Sequence, residues 1–257
     1  MPDTSKRLRI MAGPNGSGKS TIVKKIRSRY YCGYFVNADE IQSALETKKV
    51  LNLNAEFGLN LTRESFDYYL RHQGQSWLDK ATIENSPVYL TFSDNNLVVP
   101  GGSLPGQYDA AIAADFIRFQ LLGQGDTFTF ETVLSHPSKL GFMQSAKDLG
   151  FKNYLYFACT VDPAINLDRI ARRVELKGHY VPDEKVVKRY YESLALLQSL
   201  IPLTHRTFLF DNSEENAEIK IVAEIEGGKT FIPHTDYIPW WVNEYVIDTL
   251  FPDGSLS

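Results

Sequence analysis

The chain has few of the sequence features that mark disulfide-rich, redox-active or membrane proteins. Its 257 residues include two cysteines, Cys32 and Cys159, which lie far apart and form no CxxC pair. Both stand in apolar surroundings, YYCGYF and YFACTV. This usage is typical of reduced core thiols, so we expect a cytoplasmic protein.

Long apolar runs and an excess of positive charge are also missing. No stretch approaches the about 18 consecutive apolar residues of a transmembrane helix. The N-terminal string MPDTSKRLRIMAG has basic residues but lacks the apolar region of a secretory signal. The net charge of -4 argues against a general polyanion binder. We therefore expect no membrane partner and do not expect nucleic acid as a partner.

The composition is that of an ordinary globular domain. Hydrophobic residues make up 43% of the chain and charged residues 23%. This length can bury a sizeable core, so we predict a single domain over residues 1–257, without repeats or low-complexity tracts.

The string GPNGSGKST near the start of the chain is the most specific motif. It matches the phosphate-binding loop G-x-x-x-x-G-K-[ST] at every fixed position. A short apolar strand, Leu8 to Ala12, precedes it and a helix, about Lys19 to Tyr30, follows, which is the setting that this motif requires. The predicted nucleotide-binding residues are Gly13, Pro14, Asn15, Gly16, Ser17, Gly18, Lys19, Ser20 and Thr21.

The chemistry of this loop follows from its backbone. Glycines allow successive N–H groups to point inward as an anion nest, and the following helix adds the positive end of its dipole. Lys19 is expected to neutralise the β- and γ-phosphates, and the Ser20 hydroxyl to bind Mg²⁺. No guanine-specific NKxD string is present, which favours ATP as the nucleotide.

Strands alternate with helices along the chain, which predicts an α/β fold with a five-stranded parallel sheet flanked by helices. In such sheets ligands bind beyond the carboxyl ends of the strands. The ends of the second to fifth strands carry Asp39, Glu131, Asp162 and Asp211. We expect these acids near the phosphate loop.

Residues 48–106 interrupt that alternation. They contain an aromatic-rich helix candidate, LTRESFDYYLRHQGQSWLDKA, a short strand, PVYLTF, and a Gly/Pro/Asn-rich stretch. We interpret them as an insertion between the second and third sheet strands, on the side of the acceptor. The C-terminal region predicts a hairpin around Gly227-Gly228 followed by a closing helix.

Two acids have both a catalytic and a structural interpretation. Asp39 stands where a strand gives way to a helix and can accept the proton of an attacking hydroxyl, or it can cap the helix. Glu131 ends the strand DTFTFET. It can contact a substrate hydroxyl or a Mg²⁺-bound water, or it can be a solvated strand end.

Residues 162–200 resemble a lid. Asp162 is expected to cap a helix in which Arg173 shares one face with Arg169, and a second helix starts at Pro182 after a glycine break. Mobile arginines stabilise a phosphoryl group in transfer. The alternative is a solvated pair of basic helices, in which His179 is a surface turn residue.

These strings together resemble the zeta toxin family of P-loop kinases. The matching strings, in the expected order, are GPNGSGKST, NADEI, FETVLS, RVELKGHYVP, KRYYESL and FDNS. The resemblance implies a nucleoside-monophosphate-kinase-like P-loop fold and ATP-dependent phosphoryl transfer, with UDP-N-acetylglucosamine as the acceptor in characterised members. Residues 48–106 match no part of the family pattern.

The resemblance also implies roles for individual residues. Asp39 matches the catalytic base, and Lys19 matches the phosphate-loop lysine. Arg173 and Arg189 look like the arginines that stabilise phosphate, and the Asn212 region would lie near the adenine. The residues expected to bind the acceptor are Glu131, Thr132 and His179.

Three functions remain open at this point. The first is a kinase of a small-molecule hydroxyl, best represented by a nucleotide sugar. The second is a kinase of nucleic-acid ends, in which aromatic side chains of residues 48–106 stack on bases. The third is a nucleotide-gated interaction module or a toxin held by an antitoxin.

Overall fold

The computed structural model describes residues 5–176, 180–215 and 217–252. In chain order its strands are β1 (Arg7–Ala12), β2 (Tyr34–Val36), β3 (Val50–Asn52), β4 (Thr91–Ser93), β5 (Asn96–Val98), β6 (Phe128–Thr132), β7 (Lys152–Cys159), β8 (Arg206–Asp211), β9 (Lys220–Glu226) and β10 (Thr230–Pro233).

The α-helices alternate with these strands. They are α1 (Lys19–Arg27), α2 (Ala38–Lys48), α3 (Leu53–Phe57), α4 (Arg63–Tyr69), α5 (Gln75–Ile83), α6 (Gln107–Gln124), α7 (Ser138–Asp148), α8 (Pro163–Glu175), α9 (Asp183–Ala195), α10 (Leu197–Leu200), α11 (Trp240–Val242) and α12 (Asp248–Leu250). Leu70–Gly74 and Asn243–Ile247 form π-helical turns, and Ile201–Leu203 forms a 3₁₀ turn. The chain divides into two compact units, unit 1 with residues 1–32 and 131–257 and unit 2 with residues 33–130.

Unit 1 is built on a mixed sheet with the strand order β10-β9-β8-β7-β1. The predicted parallel direction is confirmed for two neighbouring pairs, β1 with β7 and β7 with β8. Strands β9 and β10 extend the sheet in the antiparallel direction, so a wholly parallel sheet was wrong. The predicted hairpin turn explains the β9–β10 pairing, because Gly227 and Gly228 both have positive φ and so short a turn can only reverse the chain.

The core of unit 1 covers both faces of this sheet, because consecutive residues of β1 and β7 are buried. On one face, Leu8 and Ile10 of β1 and Leu155 and Phe157 of β7 are fully buried. The C-terminal helix packs on the same face, because the Trp241 ring lies 5.8 Å from the Phe157 ring. The two cysteines are buried and not joined in a disulfide, as expected, and burial raises the pKa of Cys159 to about 12.

Unit 2 contains a parallel pair and a small antiparallel sheet. Strand β2 runs parallel to the first three residues of β6, with Tyr34 opposite Phe128. Strands β3, β5 and β4 form a three-stranded sheet in that order. The β4–β5 turn places Asp94 and Asn95 at positive φ, a conformation that these two residue types tolerate.

The aromatic residues of unit 2 are mostly core residues. Phe66 and Phe92 are nearly inaccessible, and the Phe66 ring lies 5.1 Å from the ring of Phe116 on α6. Tyr69 is 1% exposed. Buried rings cannot stack on bases, so Phe66, Tyr69 and Phe92 are not available to nucleic acid, whereas Tyr68 is exposed and Trp77 and Tyr89 are half-buried.

Buried Asp109 of α6 holds the segment before that helix. Its carboxylate accepts hydrogen bonds from the backbone N–H groups of Tyr89 and Leu90, at 2.7 Å each, and of Gly106, at 2.8 Å. The residue is fully inaccessible to solvent. Because three backbone donors converge on it, this one side chain holds residues 89 and 90 close to residue 106.

No helix among the described residues is long and apolar enough to span a membrane.

Candidate phosphate-binding site

The predicted phosphate loop joins β1 to α1 in unit 1. Gly16 has φ 80°, and a Cβ there would lie 2.6 Å from the backbone oxygen of Asn166 on α8. No other residue fits this position without moving α8. Helix α1 starts at Lys19 without a side-chain cap, so its first backbone N–H groups are available to an anion.

Lys19 is the central cation of this loop. Its Nζ donates hydrogen bonds to the backbone oxygens of Gly13 and Pro14, at 2.9 Å each. The residue is 9% exposed. The ammonium group is therefore held against the loop at the position from which it can meet a phosphate.

Two polar side chains of the loop each carry a buried polar atom that the described residues leave without a hydrogen bond. Ser17 Oγ and Asn15 Oδ1 are buried and have no hydrogen-bond partner within the described part of the chain. An orphaned buried polar atom is costly and marks a place that a ligand completes. Ser20 and Thr21 follow in the first turn of α1 and are exposed, so the Ser20 hydroxyl is free in space to bind a cation.

Two asparagines outside the loop hold its backbone in place. Asn212, the residue after β8, donates from Nδ2 to the backbone oxygen of Ser17 at 3.0 Å. Asn166 of α8 donates from Nδ2 to the backbone oxygen of Asn15 at 2.6 Å. The predicted residue Asn212 is thus brought to the phosphate loop.

The segment that follows Asn212 is tied to both neighbouring helices. Arg172 of α8 pairs with Glu215, and Lys25 of α1 pairs with Glu218 at 3.3 Å. The Arg169 guanidinium donates from Nη2 to the backbone oxygen of Glu214 at 3.5 Å. Its Nη1 is buried with no hydrogen-bond partner among the described residues. These exposed pairs add little stability each, but together they fix where this segment runs.

The carboxyl ends of β7 and β8 carry two of the predicted acids, Asp162 and Asp211. Asp162 caps α8, as predicted, by accepting from the backbone N–H of Ala164 at 2.8 Å. Asp211 accepts from Ser213 Oγ at 2.5 Å, and Ser213 Oγ accepts from the Val161 N–H at 2.8 Å. Burial raises the pKa of Asp211 above its ordinary value.

The predicted lid corresponds to helices α8 and α9. They pack through a small core of Ile170, Val181 and Val186. Val186 is the first buried residue of α9. Arg173 lies exposed near the end of α8 and Arg189 lies half-buried on α9. His179, the third predicted residue of this region, lies outside the described residues.

Asp39 lies in unit 2, in the first turn of α2. Asn37 caps this helix: its Oδ1 accepts from the N–H groups of Asp39 at 2.8 Å and Glu40 at 3.3 Å. The alternative that Asp39 is the cap is therefore wrong. Its carboxylate is exposed at the carboxyl end of β2.

Glu131 and Thr132 end strand β6, and both are half-buried. Thr132 Oγ1 accepts from the backbone N–H of Leu134 at 3.1 Å. Leu134 is buried and has φ 62°, which is rare for a leucine and costs about 1 kcal/mol or more. Backbone strain of this kind is common beside functional sites.

Sequence reasoning missed the buried polar residues Thr160, Asn166 and Tyr190. Thr160 Oγ1 donates to Asn166 Oδ1, and the Tyr190 hydroxyl donates to the backbone oxygen of Thr160. One pattern could have found Asn166. It stands four residues before Ile170 on the buried stripe of α8, where an apolar residue is the norm.

Known proteins match this chain through its three-dimensional structure. A scan against protein-family models and a search of curated proteins each find no match. A chain in the crystal structure of AvrRxo1-ORF1:AvrRxo1-ORF2 with sulphate ions is 17% identical, covers 91% of this chain and has a TM-score of 0.51. This chain spans 62% of that chain's length.

Two further structures give the same TM-score of 0.51. A chain of AvrRxo1-ORF1:-ORF2 with ATP is 18% identical over 90% of this chain and 61% of its own length. A chain from the PezAT chromosomal toxin-antitoxin system of Streptococcus pneumoniae is 12% identical over 97% of this chain and 80% of its own. At such identities the likeness concerns the fold. The chain shares its α/β fold with these structures, and this supports the fold that the resemblance to the zeta toxin family implies.

Proposed function

We propose that this protein is an ATP-dependent kinase that transfers the γ-phosphoryl group to a hydroxyl of a small molecule. The observation that carries the proposal is the loop around Lys19, where a buried ammonium group, two orphaned polar atoms and the free start of α1 meet. The crystallised relative with ATP supports the choice of nucleotide.

In this proposal the phosphate loop, Gly13 to Thr21, binds the triphosphate. Backbone N–H groups of the loop and of the first turn of α1 hold the β-phosphate, and Lys19 Nζ leaves its two carbonyl partners to meet the β- and γ-phosphates. The Ser20 hydroxyl, exposed in the first turn, would hold Mg²⁺. The ion would neutralise negative charge on the phosphates. Asn212 fixes the edge of the loop from which the adenine extends.

The transfer step requires a base and positive charge. The acceptor oxygen forms a bond to the γ-phosphorus while the bond from that phosphorus to the β,γ-bridging oxygen breaks, and ADP leaves. Asp39 takes the hydroxyl proton; its exposed carboxylate carries no capping duty that competes with this role. Arg173 and Arg189 of the lid helices stabilise the charge on the transferring group.

For the acceptor we propose a nucleotide sugar of the UDP-N-acetylglucosamine kind. The proposal rests on the family resemblance and on the strained turn after β6, in which Glu131 and Thr132 are set before Leu134. These two residues, with His179, would contact the hydroxyl-bearing ring. Segment 48–106 would shape the acceptor side.

We also propose an antitoxin protein as a partner. The similar structures include a chain from a toxin-antitoxin system and chains from a two-protein complex. Since this chain spans only about three fifths of the AvrRxo1-ORF1:-ORF2 chains, the activity and partners of those proteins come to it only as proposals.

The test is ADP release from Mg²⁺-ATP by the purified protein with a panel of nucleotide sugars, nucleosides and short oligonucleotides. We expect one UDP-sugar to stimulate release, and Asp39→Asn to abolish stimulation while ATP still binds. Full activity of Asp39→Asn would disprove its role as base. Acceptor-independent hydrolysis together with tight binding of a protein partner would favour a nucleotide-gated toxin instead.

A further inference from the structure

A chain of buried polar groups joins the phosphate loop to both lid helices. Asn166 of α8 donates to the backbone oxygen of Asn15 at 2.6 Å. Its Oδ1 accepts from Thr160 Oγ1, and the Thr160 backbone oxygen accepts from the Tyr190 hydroxyl of α9. All three residues are fully inaccessible to solvent. We call Asn166, Thr160 and Tyr190 the Asn166 relay.

The partners of the relay fix the direction of its hydrogen bonds. The backbone oxygen of Asn15 can only accept, so the Asn166 amide turns its Nδ2 to the loop and its Oδ1 to Thr160. The Thr160 hydroxyl therefore donates, and its one proton lies between Asn166 Oδ1 and, at 3.1 Å, the backbone oxygen of Asp162. A buried network in which each member has one role permits a single arrangement.

The relay also sets the rotation of the helices that carry the proposed lid arginines. Arg173 follows Asn166 by seven residues, two helical turns, so both lie on one face of α8 about 10 Å apart along its axis. Buried Ile170 lies between them on that face. On α9, Arg189 directly precedes Tyr190, so anchoring the tyrosine fixes the direction of the arginine.

We propose that the Asn166 relay consists of positioning residues that hold α8 and α9 in register with the phosphate loop, so that Arg173 and Arg189 meet the γ-phosphate. This inference rests on the proposed function, since it assigns a γ-phosphate to those arginines. The three residues of the relay are inaccessible to solvent, so we assign them no direct contact with nucleotide or acceptor. The relay acts through the loop backbone at Asn15 and through the two helices.

The experiment measures affinity for ADP and for a non-hydrolysable ATP analogue in wild type and in relay variants. The ratio of the two dissociation constants reports contacts to the γ-phosphate alone. We expect Thr160→Val and Tyr190→Phe to lower the preference for the triphosphate about tenfold, as coupling through a packed polar network can. Affinity for ADP should stay within about twofold, because the loop keeps its β-phosphate contacts.

Asn166→Asp should weaken both nucleotides by more than about tenfold. It removes the donor to Asn15 and places a negative charge beside the phosphates. Thr160→Ser retains the hydroxyl and should behave as wild type, which separates hydrogen bonding from packing if Asn166→Asp does not fold. Tyr191→Phe, an exposed neighbour of Tyr190, is the matched control and should change nothing.

Two results would overturn the relay. One is an equal loss of affinity for both nucleotides in Thr160→Val and Tyr190→Phe that follows their melting temperatures, since this indicates packing alone. The other is a wild type that does not distinguish the analogue from ADP. If wild type shows the preference but phosphorylates no acceptor, the proposed kinase function fails while the relay is still tested by the same ratio.

Discussion

The side-chain amide of Asn212 stands where a Cβ on Gly18 would have to be. The same Nδ2 donates to the backbone oxygen of Ser17 at 3.0 Å. Gly18 itself has φ 92°, a conformation that side chains other than glycine rarely adopt. The residue before Lys19 and the residue after β8 are therefore fitted to each other.

Gly18→Ala should weaken nucleotide binding. The added methyl group both strains the backbone and displaces Asn212, at a cost of about 1–3 kcal/mol, which corresponds to roughly a tenfold to hundredfold loss of affinity. Nucleotide affinity by calorimetry and thermal unfolding would measure the two effects. Gly141→Ala is the control: this glycine lies in α7 with open space around it. That change should raise the free energy of unfolding by about 0.5–1 kcal/mol. Unchanged binding in Gly18→Ala would show that the loop rearranges freely.

The unfolding free energy of Asp211→Asn should increase relative to that of wild type as pH rises. Burial raises the pKa of Asp211, so the folded state keeps its proton where the unfolded chain, with a value near 3.8, has lost it. The contribution of the acid is present below that pH and is lost as pH rises through the folded-state pKa. Because asparagine does not titrate, the difference in unfolding free energy should shift towards the variant as pH rises above about 3.8, the value for the unfolded chain.

Denaturant unfolding of both proteins across that range measures the shift. Asp236→Asn replaces an exposed carboxylate of unit 1 and serves as the control, with a difference that stays flat. If the unfolding free energy of wild type instead rises relative to that of Asp211→Asn as pH rises, the hydrogen bonds from Ser213 would outweigh burial in setting the pKa of Asp211.

Much of unit 1 could be predicted because its determinants are local in sequence. Glycines and a lysine at fixed spacing define the loop, Asp162-Pro163 defines the start of α8, and Gly227-Gly228 defines the hairpin. Each of these depends on the backbone preferences of a few adjacent residues. The antiparallel addition of β9 to β8 was not visible, because pairing between strands depends on contacts that no local pattern records.

Other features required the three-dimensional structure. Helix α6 shows no clean amphipathic stripe, since both faces are buried, and the sequence did not reveal it. Asn37 and Asp39 are both good capping residues two positions apart, and only the hydrogen bonds decide between them. Tyr190 looked like one more apolar residue of α9 until its hydroxyl was placed against Thr160.

Asp109→Ala should destabilise unit 2. It leaves the backbone N–H groups of Tyr89, Leu90 and Gly106 without their acceptor, at about 1–3 kcal/mol for each group that stays buried. Asp109→Asn should cost less, because its Oδ1 can still accept from Tyr89 and Leu90. Chemical denaturation would rank the variants, and limited proteolysis should show cleavage between residues 84 and 106.

Asp79→Ala is the control for that series. Asp79 is an exposed carboxylate on α5, and its loss should change the unfolding free energy by no more than about 0.5 kcal/mol. Equal stability of Asp109→Ala and Asp79→Ala would mean that water replaces the carboxylate.

Substitution of Asn37 should lower stability, whereas substitution of Asp39 should lower activity. Asn37→Ala removes the acceptor that caps α2 and should cost about 0.5–2 kcal/mol of stability. Asp39→Asn leaves that cap in place, so stability should change by less than about 0.5 kcal/mol, while phosphoryl transfer should fall by at least about a hundredfold. Thermal unfolding and ADP release on the same preparations make the comparison. If Asp39→Asn lost stability as Asn37→Ala does and kept its activity, the carboxylate would belong to the helix rather than to the reaction. Lost stability in Asn37→Ala together with lost activity in Asp39→Asn would assign helix capping to Asn37 and catalysis to Asp39.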